Sequence, residues 1–472
     1  MQYSVVNKNE LVSDTRLDAE AYLPLFFEIE KEIRKHDFTT LDQESSLFVK
    51  GIFDIKADCY LENGGIPFVR IGDLRDMVIS ENEIIYIPEE ENNKNKKTFL
   101  KRGDIILSKT AYPAASFVNL ENCNTSQDTI AIKLKTNSKI KSQYLVLFLN
   151  SKFGFLQMKR WFTGNIQMHL NLTDSKKIEM PIFSDNFQKK LQNLFQESIN
   201  KIGHSKSLYS QAEQLLLSEL GLLDWKPKHE LAFVRNFSNT IESNRFDAEF
   251  FQPKYEKIVD AVKKYKGGFD ELGNLVKIKK SVEPGSEAYQ ENGIPFVRVS
   301  NLSKFELSDN NQQFISEKLY EELKTHQPKK GEILLSKDAT PGMAYYLNEE
   351  TQRMIVSGGI LRLKMDSRQM LPEYLTLVLN SVIVQKQIER DAGGSIINHW
   401  RPDQVKATII PVLQEAKQKE IKELVEKSFN DRRLSKSLLE IAKQGVEMAI
   451  EKDEQEAEKW IDGEVTKLEI KK

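Results

Sequence analysis

Two neighbouring prolines never occur in this 472-residue chain, although it has 14 prolines. That absence removes the Asn/Asp-Pro-Pro-aromatic tetrapeptide with which adenine methyltransferases hold a flipped base. The G-x-x-x-x-G-K-[ST] loop is missing too, which excludes a P-loop nucleotide motor. Only two cysteines are present, Cys59 and Cys123, too few and too unevenly placed for a disulfide framework or a zinc knuckle. No apolar run approaches the length of about 20 residues that a membrane helix needs, and the opening "MQYSVVNKNE" does not read as a signal peptide. The expected compartment is therefore the cytoplasm. Net charge is also scarce. Against 68 Lys and Arg stand 70 Asp and Glu, leaving −2, so composition does not announce the basic surface usual in nucleic-acid binders.

What is present is a duplication. "GIPFVR" runs from Gly65 to Arg70 and again from Gly293 to Arg298. "RLDAEAYLP" from Arg16 answers "RFDAEFFQP" from Arg245, and "GDIILSK" from Gly103 answers "GEILLSK" from Gly331. "YLVLFLNS" from Tyr144 answers "YLTLVLNS" from Tyr374, and "SKSL" from Ser205 recurs from Ser435. A repeat of this length is far longer than a solenoid unit of about 20 to 50 residues. Each copy is large enough for a core of its own.

Within each copy a helix-like opening (Asp18 to Ile33; Asp247 to Tyr265) precedes short β-type runs broken by turn residues. A short helix, a glycine-containing loop and a strand ending in proline follow. Last comes a long stretch of helical period. In the first, Leu191, Leu194, Phe195, Ile199, Ile202, Leu208 and Leu215 recur at spacings near three and four; in the second, Leu424, Val425, Phe429, Leu438 and Val446 do so. A helix of about 36 residues runs about 54 Å, and so long a seam must be buried. Antiparallel pairing of the two helices as a coiled coil is the expected solution, packing of each along its own domain the alternative. Gly221, with Pro227 soon after, supplies a stop for the first helix.

Two copies of such a module, each with "RxDAE", "GIPFVR" and "GD/EIxLSK" and each closed by a long helix, resemble the DNA sequence-specificity subunit of a type I restriction-modification system. The resemblance covers the chain from about Arg16 to about Ile450. It implies an α/β (α+β) architecture, with two duplicated target-recognition domains joined by two long antiparallel helices in a pseudo-two-fold arrangement. The expected divisions are 1–185 and 226–412 for the recognition domains, 186–225 for the central helix and 413–460 for the C-terminal helix. The implied function is non-catalytic: each domain reads one half of a bipartite site in double-stranded DNA. The helices set the gap and dock two methyltransferase subunits, with restriction subunits joining them. S-adenosylmethionine and ATP would belong to those partners, with no cofactor in this chain. A pseudo-symmetric coiled-coil scaffold that binds no DNA is the competing reading, and the near-neutral charge favours it.

Several residues tempt a catalytic reading. His169 and His399 occupy equivalent loop positions but lack a neighbouring nucleophile or metal-spaced partner, so a loop-tying hydrogen bond is expected. Asp18, Glu20, Asp247 and Glu249 sit at the start of helix-like stretches, where acids favour the dipole and aspartate can cap. In "GIPFVR" the phenylalanines are expected in the core, with Arg70 and Arg298 pointing outward or pairing internally. DNA contacts are expected instead from Lys94, Lys96, Lys97, Lys101 and Arg102, which cluster before "GDIILSK", and from Lys329, Lys330 and Lys337 around its twin. Lys109 and Tyr112 in one copy, with Lys337 and Arg353 in the other, are further candidates for backbone or base-edge contact. The segments "IPEEENNKNKKTFLKR" and "TAYPAASFVNLENCNTSQD" diverge from their counterparts and are read as connecting loops that carry specificity.

Overall fold

A computed structural model of the chain describes residues 18–53, 55–75, 77–81, 84–164, 168–309, 311–367, 369–392 and 398–470. Arg16 of the first "RxDAE" and the glycine pair at 393–394 lie outside the described residues. The chain divides into two units: unit one is Met1–Gly203 with Arg432–Lys472, and unit two is His204–Asp431. The division falls inside the two long helices, so each unit includes part of both.

In unit one, Asp18 caps a short 3-10 turn, its Oδ1 accepting from the Ala21 N–H at 3.1 Å. Helix α1 (Pro24–Ile33) begins on a proline, whose missing N–H is no loss in the first turn. Strands β1 (Phe38–Thr40), β2 (Ser45–Lys50), β3 (Ile66–Val69) and β4 (Ile85–Ile87) lead to helix α2 (Glu89–Lys94). Strands β5 (Ile105–Ser108), β6 (Ala115–Phe117), β7 (Asn122–Thr125) and β8 (Thr129–Leu134) follow. The larger sheet has β2, β8, β5 and β6 side by side and antiparallel. The smaller has β4, β3 and β7, with β3 and β7 parallel. Ile105, Ile106 and Leu107 are all fully buried. This strand is covered on both faces and therefore reads as a continuous apolar run.

Helix α3 (Ser142–Asn150) is buried at every position from Tyr144 to Leu149, as an all-round apolar helix must be. Helix α4 (Lys152–Trp161), β9 (His169–Leu170) and β10 (Glu179–Pro181) complete the unit before α5 (Asp185–Glu219), and β10 pairs with β1. The Tyr144 hydroxyl donates to the Pro181 carbonyl at 2.8 Å. Asn150 Nδ2 donates to the Ala115 carbonyl at 2.7 Å, tying α3 to β6. These two contacts account for the tyrosine and asparagine of "YLVLFLNS".

Unit two repeats this plan. It contains α6 (Pro253–Lys263), β11 (Phe269–Glu271), β12 (Val276–Lys280), β13 (Ile294–Val297), β14 (Gln313–Ile315) and α7 (Glu317–Leu323). Then come β15 (Glu332–Ser336), β16 (Ala344–Tyr346), β17 (Ile355–Val356), β18 (Ile360–Met365), α8 (Pro372–Asn380), α9 (Val382–Asp391), β19 (Ile409–Pro411) and α10 (Glu415–Glu451). Its sheets run β12–β18–β15–β16 and β14–β13–β17, with β13 and β17 parallel. Tyr374 donates to the Pro411 carbonyl at 2.9 Å and Asn380 to that of Ala344 at 2.8 Å, the same ties as in unit one.

Two expectations need correction. The divergent segments are not loops: α2 and α7 form in the first pair, and β6 and β7 in "TAYPAASFVNLENCNTSQD". Asn92, Cys123 and Asn124 are buried there, with Asn124 Nδ2 donating to Asn92 Oδ1 at 2.9 Å, so divergence extends into the core. Burial pushes the Cys123 thiol up to about 12, which leaves it inert. The C-terminal helix expected over 413–460 is two helices, since α10 ends at Glu451 and α11 (Glu454–Ile470) follows. The stop after α5 is as read. Gly221 sits at φ +67°, and the Leu222 N–H reaches back to the Leu217 carbonyl at 2.8 Å.

Within unit one the α5 stretch meets α10, Ser198 Oγ lying 2.7 Å from Ser435 Oγ. Leu191, Phe195 and Val446 belong to the unit-one core, with Leu194, Ile199 and Ile202 packed against it, and Leu438 is buried. Within unit two Ser205 Oγ lies 2.9 Å from Ser428 Oγ, and His204 Nδ1 lies 2.5 Å from Asp431 Oδ2. Val425 belongs to the unit-two core, Leu215, Leu424 and Phe429 pack on it, and Leu208 is buried. In unit one Leu191 Cδ2 also lies 4.0 Å from where a Cβ on Gly445 would stand, so in each unit residue numbers fall along one helix as they rise along the other and the stretches run antiparallel. They also lie on the unit itself: Phe195 packs against Phe117 of β6 with ring centroids 5.4 Å apart.

Candidate nucleic-acid interface

The conserved pattern of the "GDIILSK" twins builds a clipped hairpin. Asp104 Oδ2 accepts from the Lys101 N–H at 2.8 Å, and Glu332 does the same for Lys329 at 3.1 Å. The serine at the strand's end closes the following turn. Ser108 Oγ accepts from the Ala114 N–H at 2.8 Å and donates to the Tyr112 carbonyl. Ser336 accepts from Met343 at 2.8 Å and donates to Thr340 at 2.6 Å. Between the clips, Ala111 and Ala339 both hold positive φ, +63° and +62°. Such a backbone costs an alanine on the order of 1–3 kcal/mol and persists only where the surroundings enforce it.

The enforcing partner is the histidine segment. Ala111 N–H donates to the Met168 carbonyl at 3.2 Å, and Leu170 N–H to the Lys109 carbonyl at 2.7 Å. In unit two Ala339 donates to Asn398 at 3.1 Å and Trp400 to Lys337 at 2.8 Å. The turn between β7 and β8 joins the same edge, Lys109 N–H donating to the Asp128 carbonyl at 2.8 Å. So does the end of β2, with Ile52 N–H on the Thr125 carbonyl at 2.7 Å. Gly51 is required at that crossing, because a Cβ there would stand 2.1 Å from the Ser126 carbonyl oxygen.

This edge gathers Lys50, Phe53, Lys109, Tyr112 and His169. Phe53 is 70% exposed, with Lys50 Nζ 4.7 Å from its ring centroid. Lys109 lines an open cleft of about 420 Å³ with Thr163, His169, Leu170, Asn171, Leu172 and Thr173. Burial and the charge of Lys50 hold its ammonium below the usual lysine range, Asp128 opposing them. Tyr112 donates to the Ile71 carbonyl at 2.9 Å, which ties the hairpin to the turn after "GIPFVR". In unit two Lys337 ion-pairs with Asp338, and His399 Nδ1 lies 2.8 Å from Asp338 Oδ1.

Other expected contacts lie elsewhere. Lys94 on α2 is paired with Glu90 and Glu91 at 3.3 and 3.2 Å, and Arg353 with Glu317 and Glu321 of α7. Lys96, Lys97, Lys101, Arg102, Lys329 and Lys330 are exposed, the first four between α2 and β5 and the last two before β15. Phe68 and Phe296 are buried as expected. Arg70 lies near Asp73, Nε to Oδ2 3.6 Å, and Arg298 donates to the Asn311 carbonyl at 2.7 Å. Lys50, Phe53, and the Thr110 and Asp338 pair escaped the reading of the sequence. The register of the repeat could have found the pair, since each follows "LSK" directly.

Among the described residues no group of histidine, cysteine and carboxylate side chains could hold a metal ion, and no helix is long and apolar enough to cross a membrane. A duplicated α/β module, with the same backbone ties at one edge of each unit, is the class of protein that the fold defines. The chain matches the family described as "Type I restriction modification DNA specificity domain" over residues 47–214 and 268–443, and it belongs to that family. No curated protein matches the chain. Among solved structures, it is similar to the S subunit of a type I restriction-modification system from M. genitalium. Identity is 13% and the TM-score 0.35, over 92% of this chain and 96% of that one. The HsdS subunit from Thermoanaerobacter tengcongensis also shares 13% identity, with a TM-score of 0.27 over 88% and 97% of the two chains. At these scores the likenesses carry no argument, and membership rests on the family match.

Proposed function

We propose that the chain is the non-catalytic specificity subunit of a type I system, reading a bipartite target in double-stranded DNA with one half-site per recognition domain. It directs methyltransferase and restriction subunits to that target in the cytoplasm. The observation that carries the reading is the duplicated edge: one backbone, tied by the same hydrogen bonds in each unit, presents different side chains. A recognition scaffold that must read two sequences needs that combination. Lys109 and Tyr112 in unit one are the candidate contacts to DNA, with Lys96, Lys97, Lys101, Arg102, Lys329 and Lys330 contributing a sequence-independent field.

In this reading the long helices pair as an antiparallel coiled coil, set the gap between half-sites and dock two methyltransferase subunits. S-adenosylmethionine and ATP are bound by the partners. Leu231, Val234, Phe237, Ile241 and Phe246, all more than 60% exposed in unit two, support a protein partner as well as DNA.

The test is an exchange of hairpins. Replacing the 109–113 turn "KTAYP" by "KDATPG" of unit two keeps both serine clips, lengthens the turn by one residue and changes the presented side chains. Methylome sequencing of cells expressing the variant with its methyltransferase is expected to show one half-site altered and the other kept. Alteration of both halves, or an unchanged target, overturns the division of reading. Absence of any sequence-specific methylation by the parent complex would favour the scaffold instead.

A further inference from the structure

We infer that the cleft beside Lys109 in unit one is a subsite for a phosphate group of the bound duplex, and that unit two fills the equivalent place with its own carboxylate, Asp338. The inference rests on the DNA-binding reading and adds which residue takes a phosphate and which unit lacks the site.

The duplication supplies an internal comparison. Lys109 and Lys337 are twins, as are His169 and His399, and each pair is brought together by the same two backbone hydrogen bonds. In unit two the pair embraces an anion. Asp338 sits against Lys337 Nζ, and its other oxygen is 2.8 Å from His399 Nδ1. In unit one Thr110 stands where Asp338 does, at the same bridge to the histidine strand. Lys109 has no ion-pair partner among the described residues, and His169 Nδ1 is covered and without a hydrogen-bond partner there. The arrangement that holds a carboxylate in one copy is therefore present in the other without its anion.

The cleft around Lys109 suits an oxyanion. The polar residues Thr163, Asn171 and Thr173 line it, and Lys50 adds a second positive charge nearby. Asp128 is the carboxylate that opposes them, and the two lysines outnumber it. A lysine ammonium serves a phosphate as a point charge, with hydroxyl and amide donors around it. Tyr112 tethers the hairpin on the far side, so Lys109 is presented from a fixed backbone.

The experiment measures binding of a fluorescent duplex of mixed sequence to the full chain with its methyltransferase subunits, as a function of salt. Each phosphate neutralised contributes about 0.9 to the slope of log K against log salt. Lys109→Ala is expected to lower that slope by about one, so that across a fourfold range of salt its affinity falls about 3.5-fold less than the parent's. Thr110→Asp is expected to do the same with the fold intact, because unit two already carries aspartate there, and Lys337→Ala is expected to leave the slope alone. Lys109→Arg should restore it. An unchanged slope in Lys109→Ala overturns the subsite. So does a changed methylated sequence at constant slope, which would make Lys109 a base reader. If the parent complex binds no duplex, the DNA-binding reading fails and takes the subsite with it.

Discussion

At one position of the repeat, unit one has Thr110 and unit two has Asp338. The surrounding backbone is the same to the level of its strained alanine: +63° at Ala111, +62° at Ala339. Elsewhere the units differ more deeply. Arg160 on α4, almost wholly buried, ion-pairs with Glu30 on α1, whereas Glu389 on α9 pairs with Lys254 on α6 at 2.9 Å. The same two helices are joined in both units, but the charges have changed sides. The lesson is that duplication has kept backbone hydrogen bonds and apolar positions. The sign of charge has been free to change wherever a partner could change with it.

The largest test of that lesson is in the core. Phe68 and Phe296 fill equivalent buried places, and truncating either to alanine should cost about 3–5 kcal/mol, the range for a buried phenylalanine. Urea unfolding of the two variants is expected to give costs that agree within about 1 kcal/mol. A loss confined to one of them would show that the twin cores are not equivalent.

The crossed ion pairs predict opposite responses to acid. In Glu389 burial works against ionisation, but bonds from Lys254, Lys386 and Tyr255 prevail and hold the carboxyl at about 2. Its contribution is therefore present above the unfolded value of about 4.3 and is lost as pH falls toward 2. In Glu30 burial prevails over the pull of Arg160, and the carboxyl is raised. That group stabilises the fold in its protonated form, present below the unfolded value and lost as pH rises through the folded one. Glu389→Gln is expected to flatten the acid limb of stability below about pH 4.3 and to lower stability at neutral pH. An acid limb that matches the parent's would show that the pair contributes nothing measurable.

The smallest effect sharpens the comparison at the edge. Asp338→Thr should free Lys337 and give unit two the arrangement of unit one. The salt slope of duplex binding is then expected to rise by about one. No rise would mean that position 338 does not decide whether the hairpin meets a phosphate.

Much of this was legible in the chain. Repeated hexamers and apolar runs disclosed two domain-sized copies, and the helical period disclosed α5 and α10, because core burial and helix geometry leave periodic marks on sequence. Asp18 as a cap and Gly221 as a stop are local chemistry, readable within a few residues. The candidate contacts were less legible. Lys94 and Arg353 looked like free cations beside a strand, yet their partners sit on helices that the polar composition of "PEEENNK" and "SEKLYEEL" concealed. Ser198 and Ser435 meet across the helices of unit one, more than 200 positions apart in the chain, and no local rule pairs them.

By itself, then, the sequence determined the duplication and the strands and helices that repeat in each copy, since each is written in short runs of residues close together in the chain. Only the tertiary structure decided which cations are neutralised and which are left open. That Asp338, paired with Lys337, also meets His399, while Lys109 faces a cleft beside His169, follows from bringing residues some 60 positions apart onto one edge. Electrostatic interaction depends on distance through space and on burial, and neither is written in the order of the residues.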